Sequence, residues 1–571
     1  MISQGLLFLT PLFPMMLAIL ACFKTFKKNA GIFAAIAVLP AFLLSLLNLG
    51  QLEITYLSMP AVLLGSVWHT HPTGMTFLLF TSVLWFFSAL YGIGYTKSDD
   101  KAQRFWILWL LTLSGNLGLL VSADIISFYG FFALMTFAGY GLVIHTGKEL
   151  ALRAGRIYLI MAVIGEMLIL TALFLGSAAT GHTSILAQDI AAAIPESNQI
   201  NLLLFCLFFG FGVKAGIPLM HLWLPLAHPV APTPASAVLS GAMIKAGLFA
   251  WISLLPLGYM HSSGWGILLI IFGFVASFGG GLVGMLQLAP KAVLAYSSIS
   301  QMGLMTVTIG CLFLKPELTP LVIPVLAFFA LHHALSKGAL FLSVGINSQY
   351  RSIPIVLFVL GMLLPALSLV GIAGSGIQAK LLLKEGLYAL YLPGIVMSIT
   401  LSALATTGLM YRFLWLLRQE RRESLQASPA DHWMQLSWAG LLICGFLAPL
   451  LFSGNLETKS VLQQPIEYLG LLWVPVIASV FAFWFISQPL RASVPQGDLI
   501  VLIEPWFSVK EASADKKEDK NEQKVQPSLL NWVDKDQQPT PSAALEIFSR
   551  SQVAALLGVI LLLANLMLWI N

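Results

Sequence analysis

Long apolar runs recur along the whole chain and are separated by short polar stretches. A helix needs roughly 20 apolar residues to cross a bilayer, and it satisfies its own backbone hydrogen bonds in lipid. The pattern therefore predicts an all-α polytopic membrane protein with about 16 transmembrane helices. These helices are predicted at residues 5–23, 31–50, 72–95, 105–121, 124–145, 155–177, 199–221, 232–257, 264–287, 292–313, 319–345, 355–385, 389–416, 433–453, 467–488 and 552–570.

The basic residues of the loops predict the orientation of these helices. The loops after odd-numbered helices hold Lys24, Lys27, Lys28, Lys97, Lys101, Arg104, Lys148, Arg153, Arg156, Lys291, Arg351, Arg418, Arg421, Arg422 and Arg491. The loops after even-numbered helices hold little besides Lys315 and Lys459. Because cytoplasmic loops are enriched in Lys and Arg, the odd loops are predicted to be cytoplasmic and both termini to face outward.

Composition narrows the classes of function. The chain is 58% hydrophobic and 10% charged, with a mean hydropathy of +0.87, which excludes a soluble globular domain. The net charge of +5 follows from the basic loops, so no nucleic-acid partner is expected. The four cysteines are isolated and no C-x-x-C motif occurs, so we expect neither a metal site nor a cofactor.

One segment differs in kind. Residues 489–551 contain "VKEASADKKEDKNEQKVQPS", in which five lysines balance five acidic residues. A balanced polar run without aromatic residues cannot bury a core. We expect a solvated cytoplasmic loop here, followed by an anchoring helix in residues 552–571.

Several ionisable residues fall inside the predicted helices: Lys214, Lys245, Lys337, Lys380, Glu166, His332 and His333. A charge near the centre of a bilayer costs at least a few kcal/mol, and such residues usually line an ion or proton route. The alternative is that long side chains reach the interface from helix ends, which suits Lys291 and Lys384. A desolvated ammonium releases its proton readily, whereas sodium needs clustered oxygen ligands. Protons are therefore the expected cargo, with sodium as the alternative.

Helix-breaking residues lie next to two of these lysines. Gly216 and Pro218 follow Lys214 in "VKAGIPLMH", and three glycines precede Lys380 in "GIAGSGIQAK". The two breaks fall in predicted helices 7 and 12, which run in opposite directions. Paired interrupted helices in two inverted halves indicate the ion route of a transporter.

Three segments carry a resemblance to a known family. "HLWLPLAHPVAPTPASAVLSGAMIKAGL", "KAVLAYSSISQMGLM" and "HHALSKGALFLSVG" resemble the signature segments of the antiporter-like proton-translocating subunits. That family includes the large membrane-arm subunits of respiratory complex I, Mrp-type sodium/proton antiporters and energy-converting hydrogenases. The resemblance covers roughly residues 105–420 and implies a bacterial inner-membrane location. It also implies two inverted five-helix repeats with broken helices 7 and 12.

The predicted spans, the charged loop and the resemblance together divide the chain into six predicted domains or segments. They are N-terminal helices (1–104), a first antiporter-like repeat (105–257), a second repeat (264–420), C-terminal helices (421–488), the charged loop (489–551) and the anchor (552–571).

The resemblance also implies roles for individual residues of a proton route. Lys214 resembles the lysine of broken helix 7, Lys245 the central lysine of helix 8, and Lys380 the helix-12 lysine near the outward exit. His333 and Lys337 resemble the helix-11 pair that continues the axis. Accessory positions are His221, His228, His332 and Ser298. His332 is equally a packing neighbour, and Ser298 either supports channel water or bonds across helices.

The chain departs from the family pattern at its acidic positions. The family's helix-5 glutamate falls on Ala133, and the aspartate of its WLPDAH segment falls on Leu226. The acid that often precedes the "KAVLAYS" element is also missing. Glu166 is the only acid within the helices of the first half, and we hypothesise that it replaces the missing glutamate as the partner of Lys214.

These observations predict a proton-translocating, antiporter-like subunit of a multisubunit complex of the complex I, Mrp or hydrogenase type. Its expected partners are protons or sodium, other membrane subunits and the lipid bilayer. Such a chain would be the membrane subunit of an oxidoreductase and carry no redox centre of its own. The alternatives are a structural subunit that pumps no ions and the membrane partner of an inorganic-carbon uptake complex.

Overall fold

The structure, a computed structural model, describes residues 2–23, 29–62, 65–349, 353–388, 390, 392–423, 431–452 and 473–479. Most of the predicted helix 467–488, the charged loop 489–551 and the anchor 552–571 lie outside these residues.

The described residues form a helical bundle with one small hairpin. Its helices are α1 (Ile2–Ala21), α2 (Ala30–Ile36), α3 (Leu39–Asn48), α4 (Pro72–Tyr95), α5 (Ala102–Val121), α6 (Ile125–Val143), α7 (Glu149–Ala179), α8 (Ala187–Ala193), α9 (Ile200–Ala215), α10 (Trp223–Val230), α11 (Thr233–Val238), α12 (Ile244–Leu254), α13 (Ser263–Phe274), α14 (Gly280–Met285), α15 (Pro290–Leu314), α16 (Thr319–Gln349), α17 (Ile355–Val370), α18 (Gly374–Tyr388), α19 (Pro393–Glu423) and α20 (His432–Phe452). Strands β1 (Tyr56–Met59) and β2 (Ser66–His69) pair antiparallel.

Thirteen helical spans among these residues are long and apolar enough to cross a membrane. This confirms the predicted all-α polytopic membrane fold. The span predicted at 72–95 coincides with α4, and the other predicted spans within the described residues overlap observed helices. Side chains on the outer face of α7, among them Ile160, Ile164 and Phe174, are exposed as expected for contact with lipid.

Two predicted spans are interrupted, as the glycine and proline pattern indicates. The helix predicted at 199–221 ends at Ala215, because Gly216 adopts a left-handed conformation with φ of 76°. The helix predicted at 355–385 is split into α17 and α18 by Gly371, with φ of 95°. Glycine adopts such angles without the strain that a Cβ would cause.

Two features were not predicted from the sequence. Residues 223–230 lie between the predicted spans 199–221 and 232–257, and they form the short helix α10, which is too short to cross the bilayer. The segment between α3 and α4 contains the β1–β2 hairpin. Its base is held by Asp124, whose carboxylate accepts hydrogen bonds from the backbone N–H groups of Val67 (2.8 Å) and Ser127 (2.7 Å).

Close backbone contacts bring the ionisable helices together. A Cβ added at Gly165 of α7 would lie 3.1 Å from the carbonyl oxygen of Gly210 in α9. A Cβ added at Gly247 of α12 would lie 2.7 Å from the backbone nitrogen of Ala215. The lack of side chains at these glycines therefore lets α9 pack closely between the helices that carry Glu166 and Lys245.

Candidate proton route

Lys214 lies at the C-terminal end of α9, two residues before the chain turns at Gly216. Its side chain is only 4% exposed. The ammonium donates a hydrogen bond to the Tyr158 hydroxyl, with 3.0 Å between Nζ and Oη. It also lies 5.2 to 5.9 Å from the ring centroids of Tyr158, Trp223 and Phe132. The cation is thus held by three aromatic faces and one neutral hydroxyl.

Glu166 faces the same space from α7 and is 3% exposed. The two side chains line one cavity and interact electrostatically. The hydroxyls of Tyr129 and Thr136 are its other polar neighbours, but neither carboxylate oxygen makes a well-formed hydrogen bond with a described residue. The cavity has a volume of about 10 Å³. That is roughly the room one water needs, so a single water fits beside the carboxylate.

Lys245 and Lys337 form a second group at the centre of the bundle. The Lys245 ammonium donates to the carbonyl oxygen of Ser240 at 2.7 Å. The Ser240 and Ser298 hydroxyl oxygens lie 2.6 Å apart. Ser298 donates to the carbonyl oxygen of Leu294 at 3.1 Å, and the Lys337 ammonium donates to the same oxygen at 2.8 Å. Polar groups therefore connect the two lysines without interruption.

A π-helical turn at Leu239–Met243 precedes Lys245. Such turns leave a backbone carbonyl outside the regular helical ladder and are frequent at functional sites. Here the carbonyl of Ser240 within the turn is the acceptor for the Lys245 ammonium. The turn thus gives a buried cation an acceptor that a regular helix would use for its own backbone.

Two histidines lie beside this central group. His333 is fully buried and interacts electrostatically with Lys245 and Lys337. His228 is also fully buried, and its ring stacks on Phe341 with 4.6 Å between centroids. None of the four ring nitrogens has a hydrogen-bond partner among the described residues. Because a buried polar nitrogen is costly to leave unpaired, these rings are suited to exchange a proton with water or with a neighbouring lysine.

A third group surrounds the break between α17 and α18. The Lys380 ammonium donates to the carbonyl oxygen of Val370, the last residue of α17, at 2.7 Å. Nδ1 of His332 lies 3.0 Å from the Ser375 hydroxyl and 3.3 Å from the Ser368 hydroxyl. His332 interacts electrostatically with Lys380 and with Lys245. His332 therefore lies between the second and third groups. The sequence alone left open whether it is an accessory residue of the route or a packing neighbour of His333.

The part of the chain that holds the first two lysine groups matches the model of a known family. Residues 122–375 match the family described as NADH:quinone oxidoreductase/Mrp antiporter, transmembrane. The matched residues hold the first two lysine groups and His332, whereas Lys380 lies just beyond them. These residues, less than half of the chain, are similar to that family.

Two curated relatives of the family illustrate the match. The chain is 30% identical over 279 residues to hydrogenase-4 component B of Escherichia coli (strain K12), which covers 47% of the chain and 41% of that protein. It is 30% identical over 267 residues to Na(+)/H(+) antiporter subunit A1 of Staphylococcus epidermidis, covering 45% of the chain and 33% of that protein. The match thus spans less than half the length of either relative.

Solved structures share the fold over a longer stretch. A chain of the Mrp complex from Dietzia sp. DQ12-45-1b superposes with a TM-score of 0.67 at 17% identity, covering 82% of this chain and 99% of that one. A chain of the membrane-bound sulfane sulfur reductase, an archaeal respiratory membrane complex, gives 0.67 at 20% identity and 86% coverage of both. At these identities the likeness concerns the fold alone.

The structure also contains polar residues that sequence reasoning missed. Tyr158 was not singled out, because its role depends on packing of α7 against α9. Arg412 of α19 is 2% exposed, donates from Nε to the carbonyl oxygen of Gln287 at 2.9 Å, and lies over the Trp415 ring. It falls within the predicted helix 389–416, so the rule that found the buried lysines also identifies this arginine.

The predicted accessory residue His221 lies in the turn between α9 and α10, with its ring 6.3 Å from that of Tyr296.

No group of three or more His, Cys, Asp or Glu side chains in the described ranges could hold a metal ion.

Proposed function

We propose that this chain is a proton-translocating, antiporter-like subunit of a multisubunit membrane complex of the Mrp, hydrogenase or complex I type. Protons move along the three groups built around Lys214, Lys245 with Lys337, and Lys380. Glu166, His333 and His332 are the residues that exchange protons with these lysines. Its partners are the other membrane subunits of that complex, and sodium is the alternative ion.

The observation that carries the proposal is the placement of the buried cations. Each of the three groups lies at an interruption of a helix: the end of α9, the π-turn before α12, and the break after α17. The ammonium groups of Lys214, Lys245 and Lys380 each donate a hydrogen bond to a hydroxyl or carbonyl oxygen, and no carboxylate of a described residue is hydrogen-bonded to them. A buried ammonium without a bonded anion is poised to lose its proton when a neighbouring group becomes charged.

Electrostatic coupling between groups supports a sequential movement of charge. Lys245 interacts with Lys337, and His332 with both Lys245 and Lys380. A proton that arrives on one cation makes a charge on the next one more costly. Protonation at one end of the line therefore favours release at the other, which is the behaviour that a pump needs.

The test is proton movement by the assembled complex, purified with its native partners and reconstituted in vesicles. A pH-sensitive dye should show proton uptake for the wild type and none for Lys245→Ala. Lys148 is an exposed lysine in the loop before α7 and provides the matched control. The variant Lys148→Ala should transport protons as the wild type does. Size-exclusion profiles establish that each variant assembles. Normal transport by Lys245→Ala in an intact complex would remove this lysine from the route.

The second candidate is a structural subunit that keeps the fold but moves no ions; the membrane partner of an inorganic-carbon uptake complex is a separate alternative. The structural-subunit candidate is favoured by the residue at position 133. Ala133 occupies the position at which the family that the sequence resembles carries a glutamate. Absence of proton movement in a complete, coupled wild-type complex would select this candidate.

A further inference from the structure

A cavity of about 460 Å³ lies beneath the β1–β2 hairpin, apart from the three lysine groups. Its walls come from five places: the hairpin with the start of α4, the connection between α5 and α6, helix α8, the second half of α12 with the loop that follows it, and the start of α16. These are all ends of elements that the basic-loop pattern places on the outer side of the membrane. The cavity is therefore in a position to open toward the outer side.

The lining suits water. The Thr319 hydroxyl lines the cavity and has no hydrogen-bond partner among the described residues. Pro320 and Pro324 also line it, and Pro324 has no N–H to donate to the carbonyl of residue 320, one helical turn before it. The volume far exceeds the ~10–15 Å³ that one water requires. Water can thus hydrogen-bond with groups that the protein leaves unpaired.

The lining carries no fixed charge. No Asp, Glu, Lys or Arg is among the described residues that line it, and the two imidazoles among them are His69 and His71. Burial, together with the nearby His71, lowers the pKa of His69 to about 4, and burial lowers the pKa of His71 below its ordinary value. Both rings are neutral near pH 7, so they neither repel a cation nor bind it tightly.

The floor of the cavity leads along α12 toward the central group. Phe249 and Ile252 line the cavity, and they follow Lys245 at spacings of four and seven residues. Residues at these spacings lie on one face of a helix, and the rise from Lys245 to Phe249 is about 6 Å. The Phe249 ring is 3% exposed and packs 5.3 Å from Phe77 and 6.3 Å from Phe128. Among the α12 residues that line the cavity, Phe249 is the nearest to Lys245 in the chain, and it packs within this aromatic cluster.

We propose that this cavity is a water-filled vestibule that connects the outer side of the membrane to the Lys245 group, and that Phe249 is the hydrophobic barrier between them. The vestibule admits water and hydrated protons, and the barrier restricts their passage by excluding water from the apolar gap. It is a second outward opening, separate from the one expected at Lys380. Only the identity of the ions that pass through the vestibule rests on the proposed function. The existence of the vestibule does not depend on it.

Thiol accessibility tests the vestibule without any measurement of transport. In a background with Cys22, Cys206, Cys311 and Cys444 replaced by serine, Ser253→Cys places a thiol in the vestibule wall. The matched control is Leu254→Cys, next to it on α12 but outside the lining. A membrane-impermeant, positively charged methanethiosulfonate reagent is added to right-side-out or inside-out vesicles. Ser253→Cys should react several-fold faster than Leu254→Cys, and only from the outer side. Equal rates, or reaction from the inner side, would overturn the vestibule.

A second comparison tests the barrier. Lys245→Cys should react slowly with the same reagent, and several-fold faster when Phe249→Ala is added. The control is Phe272→Ala, whose ring packs on Phe208 and Phe209, away from the cavity. If Phe249→Ala does not fold, Phe249→Leu gives the same comparison with a smaller rise. A rate at Lys245→Cys that Phe249 substitutions do not change overturns the barrier. Because neither readout involves proton movement, a chain that pumps no ions would still give the expected rates.

Discussion

The Lys214 ammonium donates a hydrogen bond to the Tyr158 hydroxyl at 3.0 Å, and that hydroxyl donates onward to the carbonyl oxygen of Thr136 at 2.9 Å. The hydroxyl proton of Tyr158 is thus directed away from Lys214, so the phenol oxygen can act only as an acceptor toward the lysine. A neutral residue of α7 consequently takes the hydrogen-bonding position next to a buried cation. In the family that the sequence resembles, the corresponding lysine is paired with a glutamate. The position of that glutamate is occupied here by Ala133 of α6.

The first prediction concerns this tyrosine. Tyr158→Phe removes the acceptor and keeps the aromatic face. An unpaired buried polar group costs about 1–3 kcal/mol, and more when it is charged. We therefore expect the charged form of Lys214 to be disfavoured and proton movement by the complex to fall strongly, with assembly unchanged. Dye quenching in vesicles measures the change.

Tyr140→Phe is the control for this substitution. The Tyr140 ring lies 6.4 Å from that of Tyr158, yet Tyr140 does not hold Lys214. It should transport as the wild type does. Equal rates for the two tyrosine variants would show that the hydroxyl of Tyr158 has no part in the route.

The second prediction concerns the connection between the central lysines. Ser298→Ala removes the hydroxyl that lies 2.6 Å from Ser240 and donates to Leu294. Lys245 and Lys337 keep their own carbonyl acceptors, so the fold should be retained. Proton movement should become slower, with a larger solvent isotope effect if proton transfer through this hydroxyl is the slow step. Ser300→Ala is the matched control, because Ser300 is equally buried on α15 but donates to Ser277. A rate equal to that of Ser300→Ala would exclude Ser298 from the relay.

Much of the fold follows from local sequence patterns, whereas the partners in the site do not. The apolar run at 72–95 is sufficient to predict α4, since a spanning helix needs only length and hydropathy. Gly216 and Gly371 predict the two helix breaks because left-handed backbone favours glycine. The pairing of Lys214 with Tyr158 depends on how α7 and α9 pack, 56 residues apart in the chain. No spacing rule encodes that contact.

Two further features could not be predicted from the sequence: the β1–β2 hairpin and the polar connection between Lys245 and Lys337. β1 and β2 are four residues each, too short for an alternating pattern to stand out in an apolar chain. The serine–carbonyl connection depends on the π-turn before Lys245, which one extra residue in a helical turn creates without a sequence signature. The hypothesis that Glu166 lies with Lys214 rested on elimination of other acids, and the structure places both in one cavity. Its role in transport stays a prediction.

The third prediction concerns a polar contact on the predicted cytoplasmic side. The Asp99 carboxylate lies 2.6 Å from Nε2 of His145 and accepts from the backbone N–H of Lys101 at 2.8 Å. Burial alone would raise the pKa of Asp99, but these hydrogen bonds and the nearby charges outweigh it and hold the pKa below its ordinary value. A carboxyl with a depressed pKa stabilises the folded state above its unfolded pKa of about 3.9, and this contribution is lost as the pH falls through the folded value.

Asp99→Asn should accordingly lower the melting temperature of the detergent-solubilised protein slightly at pH 7. The difference from wild type should shrink and vanish as the pH is lowered below about 4. Asp100→Asn makes the same change in charge on an exposed neighbour and should have no such pH-dependent effect. A deficit for Asp99→Asn that persists at low pH would mean that the contact with His145 does not depend on the carboxylate charge.

The last prediction concerns the acid of the first group. Glu166 and Lys214 line one cavity with room for about one water, and neither carboxylate oxygen makes a well-formed hydrogen bond with a described residue. A carboxylate in this position favours the charged ammonium, and an opposite charge within about 4–6 Å is enough to do so. Glu166→Gln keeps the volume and removes the charge. We expect it to abolish proton movement, whereas Glu149→Gln in the exposed first turn of the same helix should leave it intact.

Rescue distinguishes a proton-carrying role from a structural one. Phe132 of α6 lines the Lys214 cavity, and Ala133 is the next residue, where the resembling family carries its glutamate. Ala133→Glu added to Glu166→Gln should therefore restore part of the proton movement, because a carboxylate again approaches Lys214, now from α6. Normal transport by Glu166→Gln alone would show that the acid of α7 is not the partner of Lys214. If the wild type is inactive and Ala133→Glu alone creates proton movement, the chain is a structural subunit whose first half-channel closed when the α6 acid was lost.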